Sequence, residues 1–165
     1  MLDAFSMRAK QIVFAARFKA GERGANLIDV EDFLFGLVLE DQGMLGKNLF
    51  SKLHDGQGTL LNRAPSHNPF FSQEEAKNLL TRIEALQTQL KPIELSTEIP
   101  LSPVLEHAFR SAKEFQAHFH YSQIEPLHLL AAILAQESSQ CVKLLQEYGI
   151  TREKVLEQLS GATEN

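Results

Sequence analysis

Residues 124–134 read IEPLHLLAAIL, and this short stretch decides how the rest of the chain is interpreted. Pro126 is followed by apolar residues on nearly every side of a helix. Proline is favoured at the first position of a helix, because its missing N–H would have no partner there and its φ is already suitable. A helix that is apolar all round is usually buried. The stretch therefore predicts a buried helix that begins at Pro126.

His128 lies at the third position of that predicted helix. Backbone N–H groups in the first turn lack partners within the helix, and the positive end of the helix dipole disfavours a charged imidazole. A neutral ring that accepts a hydrogen bond suits this place. We therefore interpret His128 and Pro126 as structural residues of the helix start, with Glu125 in the capping position that Asp29 takes in the first half.

Helical spacing of apolar residues dominates the chain, and no stretch longer than a few residues alternates as a strand. Residues 55–71 and 92–100 are rich in turn-forming residues and predict connectors. The other breaks predict about eight helices. Predicted starts are marked by Asp29, Ser72, Ser102, Pro126 and Thr151, and predicted ends by Gly21, Gly56, Lys91-Pro92, Gly149 and Gly161.

The two halves correspond when 96 is added to each residue number in the first half. Without a gap over 5–50, Ser6 falls on Ser102 and Ile28 on Ile124. A period this long indicates a duplicated helical subdomain. We predict an all-α fold in which two four-helix units are related by a pseudo-twofold axis. One domain spans 1–165, with repeat one at about 1–91, an inserted loop at 55–71, and repeat two at about 100–162.

Composition restricts the function. The formal net charge is −5, and no basic run exceeds two residues, which disfavours a nucleic-acid partner. The most apolar stretches are too short to span a membrane, and the first residues lack the order of a signal peptide. The single cysteine, Cys141, fits a reducing compartment. We expect a soluble, cytoplasmic protein with no membrane partner.

The two copies resemble the double repeat of the N-terminal domain of Clp/Hsp100 ATPases. The first reads FSMRAKQIVFAARFKAGERGANLIDVEDFLFGLVLEDQG and the second LSPVLEHAFRSAKEFQAHFHYSQIEPLHLLAAILAQESS. The stretch IEPLHLLAAILAQE is similar to the ClpB branch, and the close LLQEYGITREKVLEQL to the end of the family's repeat. The resemblance implies a non-catalytic domain that recognises unfolded or tagged substrates or adaptor proteins. These are passed to an AAA+ ATPase ring, attached or separate, and the isolated domain is expected to be monomeric.

The resemblance to the ClpC branch also implies a phosphoarginine-type pocket. It places Glu31 at the guanidinium and Ser6 at the hydroxyl position in the first copy. Ser102 keeps the hydroxyl in the second copy, but Leu127 stands where the acid would be, so the halves are expected to bind different ligands. The family also captures polypeptide on apolar patches. Phe70 is a candidate for such a patch, and the neighbouring Phe71 is expected instead to staple the helix that follows.

Other functions have weaker support. Gly46-Lys47 is the nearest approach to a phosphate-binding loop, but the required glycine and Ser/Thr are missing. A small helical enzyme using a histidine-bound metal is one alternative, although His118 and His120 are spaced to point apart on a helix. A free-standing repeat protein acting as an adaptor without a motor is another. This alternative is distinguished from the recruiting domain of an AAA+ ATPase by whether the open reading frame continues into a phosphate-binding loop. We expect no metal or other cofactor.

Overall fold

The computed structural model describes residues 3–44, 71–87, 90–94, 97–136 and 139–163. Within these ranges the chain forms seven helices, which confirms the all-α prediction. They are α1 (Met7–Glu22), α2 (Val30–Asp41), α3 (Gln73–Ala85), α4 (Pro103–His118), α5 (Pro126–Leu134), α6 (Gln140–Glu147) and α7 (Arg152–Thr163). The helix predicted near 43–54 and nearly all of the loop 55–71 lie outside the described residues.

The centre of the fold consists of α2 and α5. Residues 32–41 of α2 are all buried, as is every residue of α5 except Leu127. Helix α1 packs on α2, and α4 packs on α5 in the same way. Gly36 permits the close approach of α1 and α2, because a Cβ there would lie 3.0 Å from the carbonyl oxygen of Ile12 and 3.3 Å from Cβ of Ala15. A larger residue at position 36 would therefore push the two helices apart.

The helix starts of the two halves are equivalent. Helices α1 and α4 begin 96 residues apart, and so do α2 and α5. The Ser6 hydroxyl caps α1 by accepting from the Ala9 N–H at 3.2 Å, and the Ser102 hydroxyl caps α4 by accepting from the Leu105 N–H at 3.2 Å. Local sequence therefore builds the same helix entry twice.

The two halves also exchange backbone hydrogen bonds. The segments before α1 and α4 each pair with the segment before the other half's second helix, through two isolated parallel bridges. The bonds are Ser6 N–H to Ile124 O (2.9 Å), Ser102 N–H to Ile28 O (2.8 Å), Ile124 N–H to Ala4 O (2.7 Å) and Ile28 N–H to Pro100 O (2.8 Å). Each maps onto its counterpart by a shift of 96, which is the reciprocity of a twofold interface. The exact bounds of the two repeats stay a prediction.

Helix α3 is shorter than the spacing of its leucines predicts. It ends at Ala85 rather than continuing to Lys91-Pro92, and Leu86 and Leu90 are 43% and 63% exposed. The chain turns away because the Gln87 side chain donates to the buried Asp32 carboxylate at 2.7 Å. The predicted end of the last helix at Gly161 is also wrong. Helix α7 continues to Thr163, since a glycine inside a helix costs only about 1 kcal/mol.

Phe71 belongs to the core. It is 6% exposed, and its ring meets Tyr148 edge to face with centroids 6.1 Å apart. Its N–H donates to Asp41 at 3.4 Å and its carbonyl accepts from Gln42 at 2.8 Å, which fixes the entry of α3 against the end of α2. Phe71 is therefore unavailable as an exposed patch. Phe70 lies outside the described residues.

Candidate functional site

Ser6 and Ser102 lie at the junction of the two halves. They are 6% and 4% exposed, and both hydroxyls are used as helix caps. The Ser6 hydroxyl also donates a hydrogen bond to the Glu125 carboxylate. Burial raises the pKa of Glu125, whereas this hydrogen bond and the positive charge of Arg8 lower it. No hydrogen bond joins Ser6 to Glu31 among the residues that the structure describes. A binding role for either serine stays a prediction.

Glu31 lies half-buried in the first turn of α2. Burial raises the pKa of Glu31, and the negative charges of Asp29 and Asp32 raise it further. A hydrogen bond to its own backbone and the positive charge of Arg23 act in the opposite direction. Arg23 is committed to Asp32, so the surroundings of Glu31 are acidic. A role for Glu31 in binding a guanidinium also stays a prediction.

Asp32 is the centre of a buried polar network. It is fully buried, and Arg23 donates to both of its oxygens at 2.7 Å. Gln87 donates to it at 2.7 Å and the Asp29 N–H at 2.9 Å, which completes a capping box at the start of α2. Arg23, the Asp29 N–H and Gln87 all donate to the same carboxylate, that of Asp32. The network therefore fixes the turn after α1, the start of α2 and the end of α3 relative to one another. Its role is structural.

His128 takes the equivalent place at the start of α5. Its Nδ1 accepts from the Glu125 N–H at 2.8 Å, which places the ring proton on Nε2. The ring meets Tyr121 edge to face at 4.6 Å, and burial lowers the pKa of His128 to about 4. Phe119 stands where the first half has Arg23, so this position offers no cation to hold a carboxylate. A neutral imidazole at this position accepts the hydrogen bond from the Glu125 N–H at the helix start without placing a charge in the core.

The described residues give no support to metal or nucleophilic chemistry. No three potential ligands come together in the described parts of the chain, where His107, His118 and His120 are exposed. His120 has φ 59° at the position equivalent to Gly24, so it belongs to a turn. Burial raises the pKa of Cys141 to about 12, which keeps the thiol protonated and unreactive. His54 and His67 lie outside the described residues.

A groove along α4 is the strongest candidate for a binding site. It measures about 410 Å³ and lies between α4 and the bridge of Phe5 with Ile124. The three buried residues of its floor are Phe5, Phe109 and Ile124, its rim carries the exposed Glu106, Arg110 and Lys113, and Ala4 lies at its edge. We call this site the α4 groove.

The floor of the α4 groove is held rigidly. The Phe109 ring meets Phe5 edge to face at 5.4 Å and Phe33 of α2 at 5.3 Å. The rim charges stand on successive turns of α4, where spacings of three and four residues share one face. An apolar floor with a few charged groups at its edge is typical of sites that bind a short segment of another molecule. No residue of the α4 groove was predicted from the sequence as a binding residue, so this site was missed.

None of the helices in the described ranges has the length and apolar character that a bilayer crossing requires. No curated protein sequence matches the chain. The family described as the Clp repeat (R) N-terminal domain matches residues 100–165.

Solved structures match the chain over nearly its full length. The N-terminal domain of the caseinolytic protease associated chaperone ClpD from Arabidopsis thaliana is 16% identical with a TM-score of 0.63, covering 100% of this chain and 97% of that one. The N-domain of ClpV from Vibrio cholerae is 13% identical with a TM-score of 0.63, covering 99% and 87%. The Hsp104 N-terminal domain from Candida albicans is 14% identical with a TM-score of 0.64, covering 95% and 89%.

These matches fit the duplicated helix starts and the reciprocal bridges. They do not favour one branch of the family, so the similarity to ClpB and ClpC stays a prediction. Residues 100–165 match the Clp repeat family, and the described chain has the fold of the N-terminal domains of Clp/Hsp100 chaperones.

Proposed function

We propose that this chain is a non-catalytic protein-binding domain. It recognises protein substrates or adaptors for a Clp/Hsp100 unfoldase or disaggregase, whose AAA+ ring is in the same chain or in a separate one. The observation that carries the proposal is the α4 groove, with its apolar floor and charged rim. A cytoplasmic setting and a monomeric isolated domain belong to the same proposal.

The size of the groove sets what it binds. A volume of about 410 Å³ holds a few side chains, so it suits a short segment rather than a folded face. Burying an aliphatic side chain there is worth about 1.5–3 kcal/mol, and the rim charges set orientation and rate of encounter. Weak, repeatable capture of a segment is what delivery to an unfoldase needs.

The chemistry of the lining supports binding rather than catalysis. The residues that line the α4 groove include no histidine, cysteine or serine. Such side chains supply most catalytic nucleophiles and many general bases. The rim instead offers exposed cations and one carboxylate, which are groups that pair with polypeptide.

The proposal is tested with a permanently unfolded protein, reduced and carboxymethylated α-lactalbumin, carrying a fluorescent label. We expect saturable binding measured by fluorescence anisotropy. The double variant Arg110→Glu/Lys113→Glu should weaken it at least tenfold. Lys77→Glu, which changes an exposed lysine of α3 outside the groove, is the matched control and should leave the affinity within twofold. Absence of binding by the unaltered domain, or equal binding by the double variant, contradicts the proposal.

A further inference from the structure

The backbone bridge in the floor of the α4 groove has a second, polar side. Phe5 and Ile124 line the groove, and the residues that follow them, Ser6 and Glu125, have extended backbone with ψ of 164° and 165°. Successive side chains of an extended chain point to opposite sides. Ser6 and Glu125 therefore lie behind the floor, where the Ser6 hydroxyl donates to the Glu125 carboxylate.

Arg8 connects this pair to the core. Its guanidinium pairs with the buried carboxylate of Glu40, near the end of α2, at 3.4 Å, and its positive charge favours the ionised form of Glu125. The Ser6 hydroxyl also accepts from the Ala9 N–H at 3.2 Å, so one hydroxyl joins the start of α1 to the start of α5. Three helices thus meet directly behind the floor. We call Ser6, Arg8, Glu40 and Glu125 the junction cluster.

The equivalent bridge, across the pseudo-twofold axis, is built differently. A shift of 96 relates Arg8 to Val104, so that bridge has an aliphatic residue in place of the cation. The same shift relates Glu125 to Asp29, whose side chain is one methylene shorter. The Asp29 carboxylate accepts from the Val30 N–H at 2.8 Å and so caps its own helix. The junction cluster is therefore a feature of the bridge beside the α4 groove.

Pro126 makes Glu125 available for the junction cluster. Proline has no N–H, so the bond that Val30 makes to Asp29 cannot form between Pro126 and Glu125. The Glu125 carboxylate instead reaches the first half of the chain, where Ser6 donates to it. The dipeptide Glu125-Pro126 thus directs an acid into the junction behind the groove.

We propose that the junction cluster positions the floor of the α4 groove, so that its residues control the binding of polypeptide without touching it. This inference rests on the function proposed above and adds the residues that hold its site in place. Phe5 and Ile124 each precede a member of the cluster, so loss of the charge on Arg8 or Glu125 loosens both floor residues at once. A loosened floor binds more weakly, because it must be ordered again when the ligand binds.

Glu125→Gln tests this inference, because the amide keeps the size of the side chain and can still accept from Ser6 but carries no charge. Hydrogen exchange of backbone amides, followed by NMR, should accelerate at least fivefold at Ser6 and Ile124, whose N–H groups bond across the junction. Exchange at Ile28 and Ser102, which make the same bonds in the equivalent bridge, should change less than twofold. Binding of labelled unfolded α-lactalbumin should weaken at least threefold in the anisotropy assay.

Variants of Arg8 show whether the cluster acts as a unit. Arg8→Met should weaken binding at least fivefold, whereas Arg8→Lys keeps a cation and should stay within threefold of the unaltered domain. Adding Glu125→Gln to Arg8→Met should change the affinity by less than a further twofold, because both substitutions remove the same pair of charges. Lys10→Met, which removes a cation of α1 outside the cluster, is the matched control and should leave exchange and affinity within twofold.

The outcomes separate this inference from the proposed function. If binding depends on Arg110 and Lys113 but Glu125→Gln leaves the affinity unchanged, the inference is wrong and the proposed function stands. Weaker binding without faster exchange would mean that Glu125 contacts the ligand itself, and equal acceleration at both bridges would mean general destabilisation. Either result overturns the inference, as do equal effects of Lys10→Met and Arg8→Met. If α-lactalbumin does not bind the unaltered domain, both proposals are wrong.

Discussion

Gly24 provides a quantitative test of how the connector that leads to α4 is held against the first half. Gly24 has φ +76°, and a Cβ there would lie 2.4 Å from the carbonyl oxygen of Lys91 and 2.8 Å from Cβ of Leu90. The left-handed backbone costs a residue with a Cβ about 1–2 kcal/mol. The contact with Lys91 is backbone, so the connector must move. It would then lose the hydrogen bonds from Leu90 N–H to Arg23 O and from Ile93 N–H to Gly21 O, both 2.8 Å.

Each of these bonds contributes about 1 kcal/mol, so Gly24→Ala should lower the free energy of unfolding by about 3–4 kcal/mol in total. The assay is urea unfolding followed by circular dichroism, with the slope against urea checked for constancy. The matched control is His120→Ala at the equivalent turn, where φ is 59° and none of the described residues outside the turn hydrogen bonds to it; this variant should change stability by less than about 1 kcal/mol. His120→Gly should gain about 0.5–1 kcal/mol. Equal costs for Gly24→Ala and His120→Ala would refute the reasoning.

Three further predictions concern the buried groups. Burial lowers the pKa of His128 from 6.5 to about 4. Between these two pH values the imidazole is protonated in the unfolded chain but neutral in the folded one. The stability that the neutral, buried imidazole contributes is therefore lost as the pH falls from about 6.5 to about 4. Between pH 7.5 and pH 5 the loss should be about 2 kcal/mol relative to His128→Asn, measured by urea unfolding at each pH; parallel curves for the two proteins would contradict it. Arg23→Met leaves the Asp32 carboxylate buried without its cation and should cost about 3–5 kcal/mol, whereas a cost under about 1 kcal/mol would show that the pair is dispensable. In thermal unfolding, Ile83→Ala should lower the free energy of unfolding by about 2–5 kcal/mol and Leu86→Ala by less than about 0.5 kcal/mol, because only Ile83 is buried. Similar losses for the two variants would mean that Leu86 is buried as well and that α3 extends beyond Ala85.

The sequence predicted the features that depend on local chemistry. The predicted helix starts at Ser72 and Ser102 are confirmed: Ser72 forms a capping box with Glu75 at the start of α3, and Ser102 caps α4, which has Pro103 at its first position. A side-chain cap and the residues that need it are within four positions of each other, so both are visible in one short window. The apolar character of α5 likewise indicated that this helix is buried.

Features set by contacts between distant residues were missed. Helix α3 ends early because Gln87 reaches Asp32, which is 55 residues away in the chain. The α4 groove was also missed, because Phe5, Phe109 and Ile124 of its floor come from three distant parts of the chain, and no short window of sequence shows that they meet.

The central claim is that the α4 groove is the surface that binds polypeptide. The most direct measurement is the amide spectrum of the isotopically labelled domain, recorded by NMR during titration with unfolded α-lactalbumin. We expect the shifts to concentrate at residues 4–5, 106–113 and 124, with little change on α3 and α6. Shifts confined to α3 and α6, or no shifts at saturating α-lactalbumin, would contradict it.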